Sequence, residues 1–239
     1  MRLLATIFTL SATLFAASPA KFLKSYETTL IDVERGMATI KDSETIVLGS
    51  SGIVTHKFDE EKSTIVARAS VIEKKDGMAK IRFEVFDLLS QSAFPLPGIL
   101  PEKGDKVVLN YLYDRAVIVA PNKSVYDEIT KHFKDVTWIH PDLMGAYLAD
   151  KYKPNPERDE FREICRQNSA GVIFFALDKK GYFADCQSFK ILKTYESSRI
   201  TAYQVPFYTR VRGIDTVFWN FDGSQINDYN SHYCSLLVK

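Results

Sequence analysis

The sequence predicts an α+β protein, a small β-barrel or sandwich over residues 21–120 followed by an α/β unit over residues 121–239. Three observations lead there. Five or six short strand-like runs lie between Lys24 and Asp87, separated by turn residues, the pattern of a small all-β unit. After Ser124 the apolar period lengthens to that of helices, and helices alternate with apolar strands. Between the two lies Phe94–Pro121, where Pro95, Pro97, Pro101, Gly98 and Gly104 break any ladder before strand character resumes.

The chain of 239 residues is 46% hydrophobic, enough for a sizeable core, and its formal charge of +1 gives no reason to expect a nucleic-acid or anionic-membrane partner. Residues 1–20 read as a signal peptide. Arg2 is followed by an apolar run, Leu3–Phe15, and by small residues at Ser18 and Ala20, the positions a signal peptidase reads. The competing reading is an uncleaved anchor. No cysteine lies near the cleavage point, so no lipid anchor is expected, and no later segment is apolar over a length that spans a bilayer. The protein is expected in the periplasm or at the cell surface. Its three cysteines, Cys165, Cys186 and Cys234, then predict one disulfide and one free thiol. Cys165–Cys186 is preferred, because a helix and a strand end would bring them side by side; Cys186–Cys234 competes.

Within the first unit, Thr28–Val33 and Gly36–Ile40 predict strands joined through Glu34-Arg35-Gly36. Thr45–Leu48 and Ile53–Phe58 flank a Gly49–Gly52 turn, and Thr64–Glu73 is a longer strand ended by Lys74-Lys75-Asp76-Gly77. Met78–Asp87 alternates, with Ile81, Phe83 and Val85 on one side. In the strand after Gly104, Val107, Leu109, Tyr111 and Tyr113 share a face, while Ala116–Val119 is apolar on both, as in a covered strand. The strands of 105–119 are candidates to complete the barrel.

In the second unit, Ser124 is read as the cap of a helix through Phe133, and Val136–Ile139 as a short strand. Pro141 opens a helix to about Lys151 that buries Leu143 and Tyr147, and Asn155-Pro156-Glu157 starts one that buries Phe161, Ile164 and Cys165. Gly171–Leu177, Tyr182–Cys186, Phe189–Tyr195 and Ala202–Val211 predict strands. Ser224–Leu237, behind Asp222, predicts a final helix.

No residue pattern compels a catalytic reading, and no metal or cofactor is expected. His140 and Asp142 flank Pro141 at a strand-to-helix junction, which makes them the candidates for a hydrolase, but no third partner is identifiable and a capping role competes. Asp59-Glu60-Glu61 lacks the alternating ligands of a calcium loop and reads as a solvated turn. His56, His132 and His232 show no zinc spacing. His232 and Cys234 are two apart and do not face each other on a helix. Aromatic residues crowd the last forty positions, and Trp219, Tyr229 and Tyr233 are the candidates for a partner surface if they are exposed.

Several motifs resemble a known family. The run from Pro95 to Asn122, PLPGILPEKGDKVVLNYLYDRAVIVAPN, is similar to the N-terminal domain family of plasminogen-binding protein A, from epsilon-class proteobacteria. So are Ile139-His140-Pro141-Asp142, the GYFADC run Gly181–Cys186 with Ser188-Phe189-Lys190, and Val205–Val211 (VPFYTRV). The resemblance implies a non-enzymatic surface or periplasmic protein-binding protein. It also implies a lysine-rich tail after this domain, which this sequence, ending at Lys239, does not show. Two roles follow as expectations: an accessory or scaffold part of the flagellar motor, or plasminogen binding. For the second, Lys239 is the candidate residue, because plasminogen's kringle domains recognise lysine.

Overall fold

The structure is a computed structural model and describes residues 21–86, 98–214 and 226–239. The signal-peptide reading of 1–20 lies outside these, as do Trp219 and the Asp222 cap. After a turn of 3-10 helix at Lys21–Leu23, the chain forms β1 (Tyr26–Thr29), β2 (Asp32–Glu34), β3 (Met37–Lys41), β4 (Ser51–Lys57), β5 (Ser63–Lys75), β6 (Met78–Glu84) and β7 (Lys106–Leu109). These pair antiparallel in the order β1-β7-β4-β5-β6-β3-β2. The sheet curls into a half-barrel, and the segment from β1 to β2 runs from one edge to the other. Leu30 N–H donates to Asp105 O on the β7 side, and Ile31 N–H donates to Thr39 O on the β3 side.

Ile40, Val54, Ala69, Val71, Ile81, Val107 and Leu109 point inside, and the alternation read from the sequence places the last three of them on buried faces. Ala38, Ala67, Ala69 and Ala79 fill the narrow interior of the curl, where larger side chains would collide. Gly52 is dictated by closeness: a Cβ there would lie 2.0 Å from Val108 O, across the β4–β7 pair.

The second layer contains β8 (Arg115–Val119), α1 (Lys123–His132), β9 (Thr137–Ile139), α2 (Pro141–Lys151), α3 (Arg158–Gln167), β10 (Val172–Leu177), β11 (Lys180–Asp185), β12 (Ile191–Glu196) and α4 (Tyr229–Leu236). Its sheet runs β12-β11-β10-β8-β9, with β8 parallel to both β9 and β10 and the rest antiparallel. Helix α1 covers one face through Val125, Ile129 and Phe133, which meet Phe174 and Phe183. Helices α2, α3 and α4 cover the other through Met144, Leu148, Phe161, Ile164 and Tyr233. Every residue of β10 is buried because it is covered on both faces.

The α+β class and the curled β unit follow the expectation, but several elements differ. Thr45–Leu48 is not a strand. The Lys74 ammonium takes the carbonyls of Ser43 and Ile46, and Asn110 Nδ2 takes that of Thr45, so those groups have no use for a ladder. β7 ends at Leu109; Asn110 and Leu112 have φ of 54° and 61°, which breaks the strand before Tyr111. β8 joins the second sheet and does not complete the barrel. Sheet membership thus changes between Leu109 and Arg115. Val85 lies past the end of β6 and is exposed.

The cap of α1 is Asn122, which reaches the Val125 N–H, and not Ser124. α3 starts two residues later than Asn155-Pro156 suggests, in a capping box of Glu157 and Glu160. On α2 it is Met144 and Leu148 that are buried, while Leu143 is exposed. Residues 202–211 are irregular: Gln204 and Tyr208 donate singly to Pro121 O and Ala120 O, and Pro206 has no N–H to give. α4 begins at Tyr229 behind Asp228, whose side chain accepts from Ser231 N–H.

Candidate functional site

The two layers meet at a buried polar centre built from the ends of β4, β6 and β11, the middle of β5 and the turn after β7. Asp185, at the end of β11, is almost wholly buried and receives six donors. On Oδ1 these are Arg68 Nη2 (2.7 Å), Ser188 N–H (2.9 Å), Ser188 Oγ (2.8 Å) and Gln187 N–H (3.2 Å). On Oδ2 they are Tyr113 OH (3.0 Å) and Ser51 Oγ. Arg68 comes from the middle of β5 and also pairs with Glu84, its cross-strand neighbour on β6. Glu84 in turn accepts from Ser70 Oγ at 2.8 Å and Arg82 Nη2 at 3.1 Å.

Burial by itself would raise the Asp185 carboxyl, but the Arg68 guanidinium and the Ser51 and Ser188 donors outweigh it and hold it below its ordinary value. Burial opposes the charge on Arg68 too, and Asp185 and Glu84 overcome it, keeping the guanidinium firmly protonated. Burial, with Asp185 beside it, pushes the Tyr113 phenol well up, so it stays a donor. With all its acceptor positions occupied, Asp185 has no lone pair left for a substrate. The centre is built as a lock between layers. Beside it opens a polar cleft whose walls include Glu84, Asp159, Arg162, Gln187 and Ser188.

The residues picked from the sequence do not gather in one place. His140 caps α2, its Nδ1 accepting the Asp142 N–H at 3.1 Å. Asp142 accepts from Thr209 Oγ1 (2.9 Å), Arg210 N–H (2.8 Å) and Arg210 Nε–H (2.6 Å), which ties the irregular 202–211 segment to the helix start. These contacts outweigh the effect of burial and hold the Asp142 carboxyl below its ordinary value. Cys165 and Cys186 form the preferred disulfide, and Cys234 is free and exposed.

Tyr229 and Tyr233 are 4% and 0% exposed and belong to the core, so the partner surface imagined for them is not on those rings. Tyr233 OH donates to Pro206 O at 2.6 Å. Lys239 is exposed, directly after a pinned residue: Val238 N–H donates to Phe189 O and Val238 O accepts from Ile191 N–H, both at 2.9 Å. The acidic run at 59–61 is a solvated turn, its amides at Glu61 and Lys62 held by Asp59. Among the described residues no three His, Cys, Asp or Glu side chains are placed to hold a metal, and no helix is long and apolar enough to cross a membrane.

Comparison with known proteins decides the family. The model of the plasminogen-binding protein PgbA N-terminal family matches residues 25–237. The chain belongs to this family. It is 30% identical over 196 residues to plasminogen-binding protein PgbA of Helicobacter pylori strain J99, covering 80% of this chain and 43% of that protein. The PgbA of strain 26695 gives the same identity and covers 42% of its length. The chain therefore spans less than half the length of these curated relatives. No solved structure matches it. The stretch matched by the PgbA N-terminal family model takes in both sheets and α1 to α4 of the described residues, and with them the Asp185–Arg68 lock and the disulfide. Sequence reasoning quoted Asp185 and Cys186 as a family motif but assigned no role to Asp185 or Arg68.

Proposed function

We propose that this chain is an exported, non-enzymatic protein-binding protein of the cell surface or periplasm, with plasminogen as its partner. The observation that carries the proposal is the family match over residues 25–237, with relatives named for plasminogen binding. Asp142, Asp185 and Arg68 direct their polar atoms to other parts of the chain, which gives them a structural role. Nothing observed favours the flagellar motor or a hydrolase. Kringle recognition of lysine makes exposed lysines the contact, and Lys239 is exposed on a short leash after Val238.

The test is plasminogen binding to the immobilised chain by surface plasmon resonance. Saturable binding that 6-aminohexanoate displaces and Lys239→Ala weakens is expected. Absence of saturable binding ends the proposal. Binding that survives Lys239→Ala unchanged moves the contact to internal lysines.

A further inference from the structure

Two arginines of α3 are fixed in a way that surface arginines seldom are. Arg158 gives its Nε–H to Leu236 O at 2.8 Å, and Arg162 gives its Nε–H to Gln187 O at 2.9 Å. Four residues apart, they share one helix face. Both guanidinium carbons lie over the ring of Phe189, 5.5 and 5.6 Å from its centroid. Arg162 also gives Nη1 to Asp159 at 2.7 Å. Among the described residues, neither Nη of Arg158 nor Nη2 of Arg162 is given a protein acceptor.

Phe189 is itself unusual. It is fully buried at φ 59°, a left-handed conformation that is strained for a bulky residue and persists only where the surroundings enforce it. The enforcing contacts are Phe189 N–H to Asp185 O and Val238 N–H to Phe189 O, both 2.9 Å.

A free surface arginine has rotamer entropy to lose on making a contact. Here the inner nitrogen is already bonded to main chain and the guanidinium carbon sits over a ring, so much of that loss belongs to folding and not to binding. What remains is the Nη1/Nη2 fork of Arg158, the shape that meets the two oxygens of a carboxylate, with the Nη2 of Arg162 beside it. Two guanidiniums against the single exposed Asp159 leave one net positive charge, which suits a monoanionic carboxylate better than a dianionic phosphate. We propose that Arg158 and Arg162 form a preset site for a carboxylate-bearing loop of a protein partner. The inference rests on the protein-binding reading for the class of partner, and not on plasminogen.

The experiment titrates the 15N-labelled chain with an acetylated, amidated hexa-aspartate peptide and follows the arginine Nε–Hε signals by NMR. Saturable shifts at Arg158 and Arg162, weakened by added salt, are expected. Arg158→Gln/Arg162→Gln should weaken binding on the order of tenfold. Arg158→Lys/Arg162→Lys should weaken it as much, because an ammonium keeps the charge without the fork. Shifts scattered over surface lysines with the arginine signals unmoved, or full binding by the lysine variant, would overturn the proposal. Should the variants fail to fold, the wild-type titration decides alone. The titration contains no plasminogen, so a chain that takes the peptide at these arginines and ignores plasminogen keeps this inference and loses the plasminogen reading.

Discussion

Replacing Asp185 by asparagine tests whether the layers are locked by charge. The carboxylate accepts six hydrogen bonds at a position where Asp185 is 1% exposed. An amide keeps one acceptor oxygen and turns an NH2 toward donors that were bonded to the other. Arg68, with a side chain only 6% exposed, loses its closest fully buried counter-charge and keeps only Glu84. Removing one partner of a buried pair costs about 3–5 kcal/mol. At about 2–4 °C per kcal/mol for a chain of this size, the melting temperature of Asp185→Asn should fall by roughly 6–20 °C. The double variant Arg68→Met/Asp185→Asn should fall less than Asp185→Asn, because the asparagine oxygen still accepts from the hydroxyl and amide donors and no guanidinium is left buried without its partner. Calorimetry at pH 7, backed by urea unfolding, measures both. A loss below about 1 kcal/mol for Asp185→Asn, or a double variant worse than the single, would refute the reasoning.

Two further outcomes follow from the same contacts. Stability should hold from pH 7 down to about 5 and decline below about 4. The folded Asp142 and Asp185 carboxyls lie below their ordinary value of 3.8, so the stability they confer is present above that value and lost as pH falls through the folded ones. Urea unfolding across pH should show a shallower acid decline for Asp142→Asn than for the wild type. Replacing both Cys165 and Cys186 by serine should cost about 3 kcal/mol, the chain-entropy value for a loop closed over 21 residues. Peptide mapping without reduction should recover Cys165 linked to Cys186 and Cys234 alkylated; three alkylated thiols would refute the pairing.

The parts of the fold that were legible are those governed by one local rule. Alternation gave Ile81 of β6 and Val107 and Leu109 of β7 as inward residues, and the apolar run Ala116–Val119 announced a strand covered on both sides. Where a long-range group replaced the local rule, the reading failed. Thr45–Leu48 has strand composition, but Lys74 and Asn110 take the carbonyls a neighbour strand would need. Tyr113 looked like the last inward residue of a strand, and is instead buried at the lock, after a turn that two residues with positive φ create.

The lock was illegible for a more general reason. In the run Ala67-Arg68-Ala69 the alternation sends both alanines inward and Arg68 outward, and an outward arginine reads as solvated, as Arg82 is at 59% exposure against 6% for Arg68. What separates the two is the arrival of Asp185 at one of them, 117 residues later in the chain. No periodicity within β5 carries that information. The nearest signal was at the other end, where an acid closes an apolar strand, GYFAD, directly before a cysteine expected to pair. A carboxylate that emerges at a strand end and is fixed there by a disulfide needs a buried cation or a hydroxyl set. Reading outward from such acids for an arginine between small inward residues is how Arg68 could have been found.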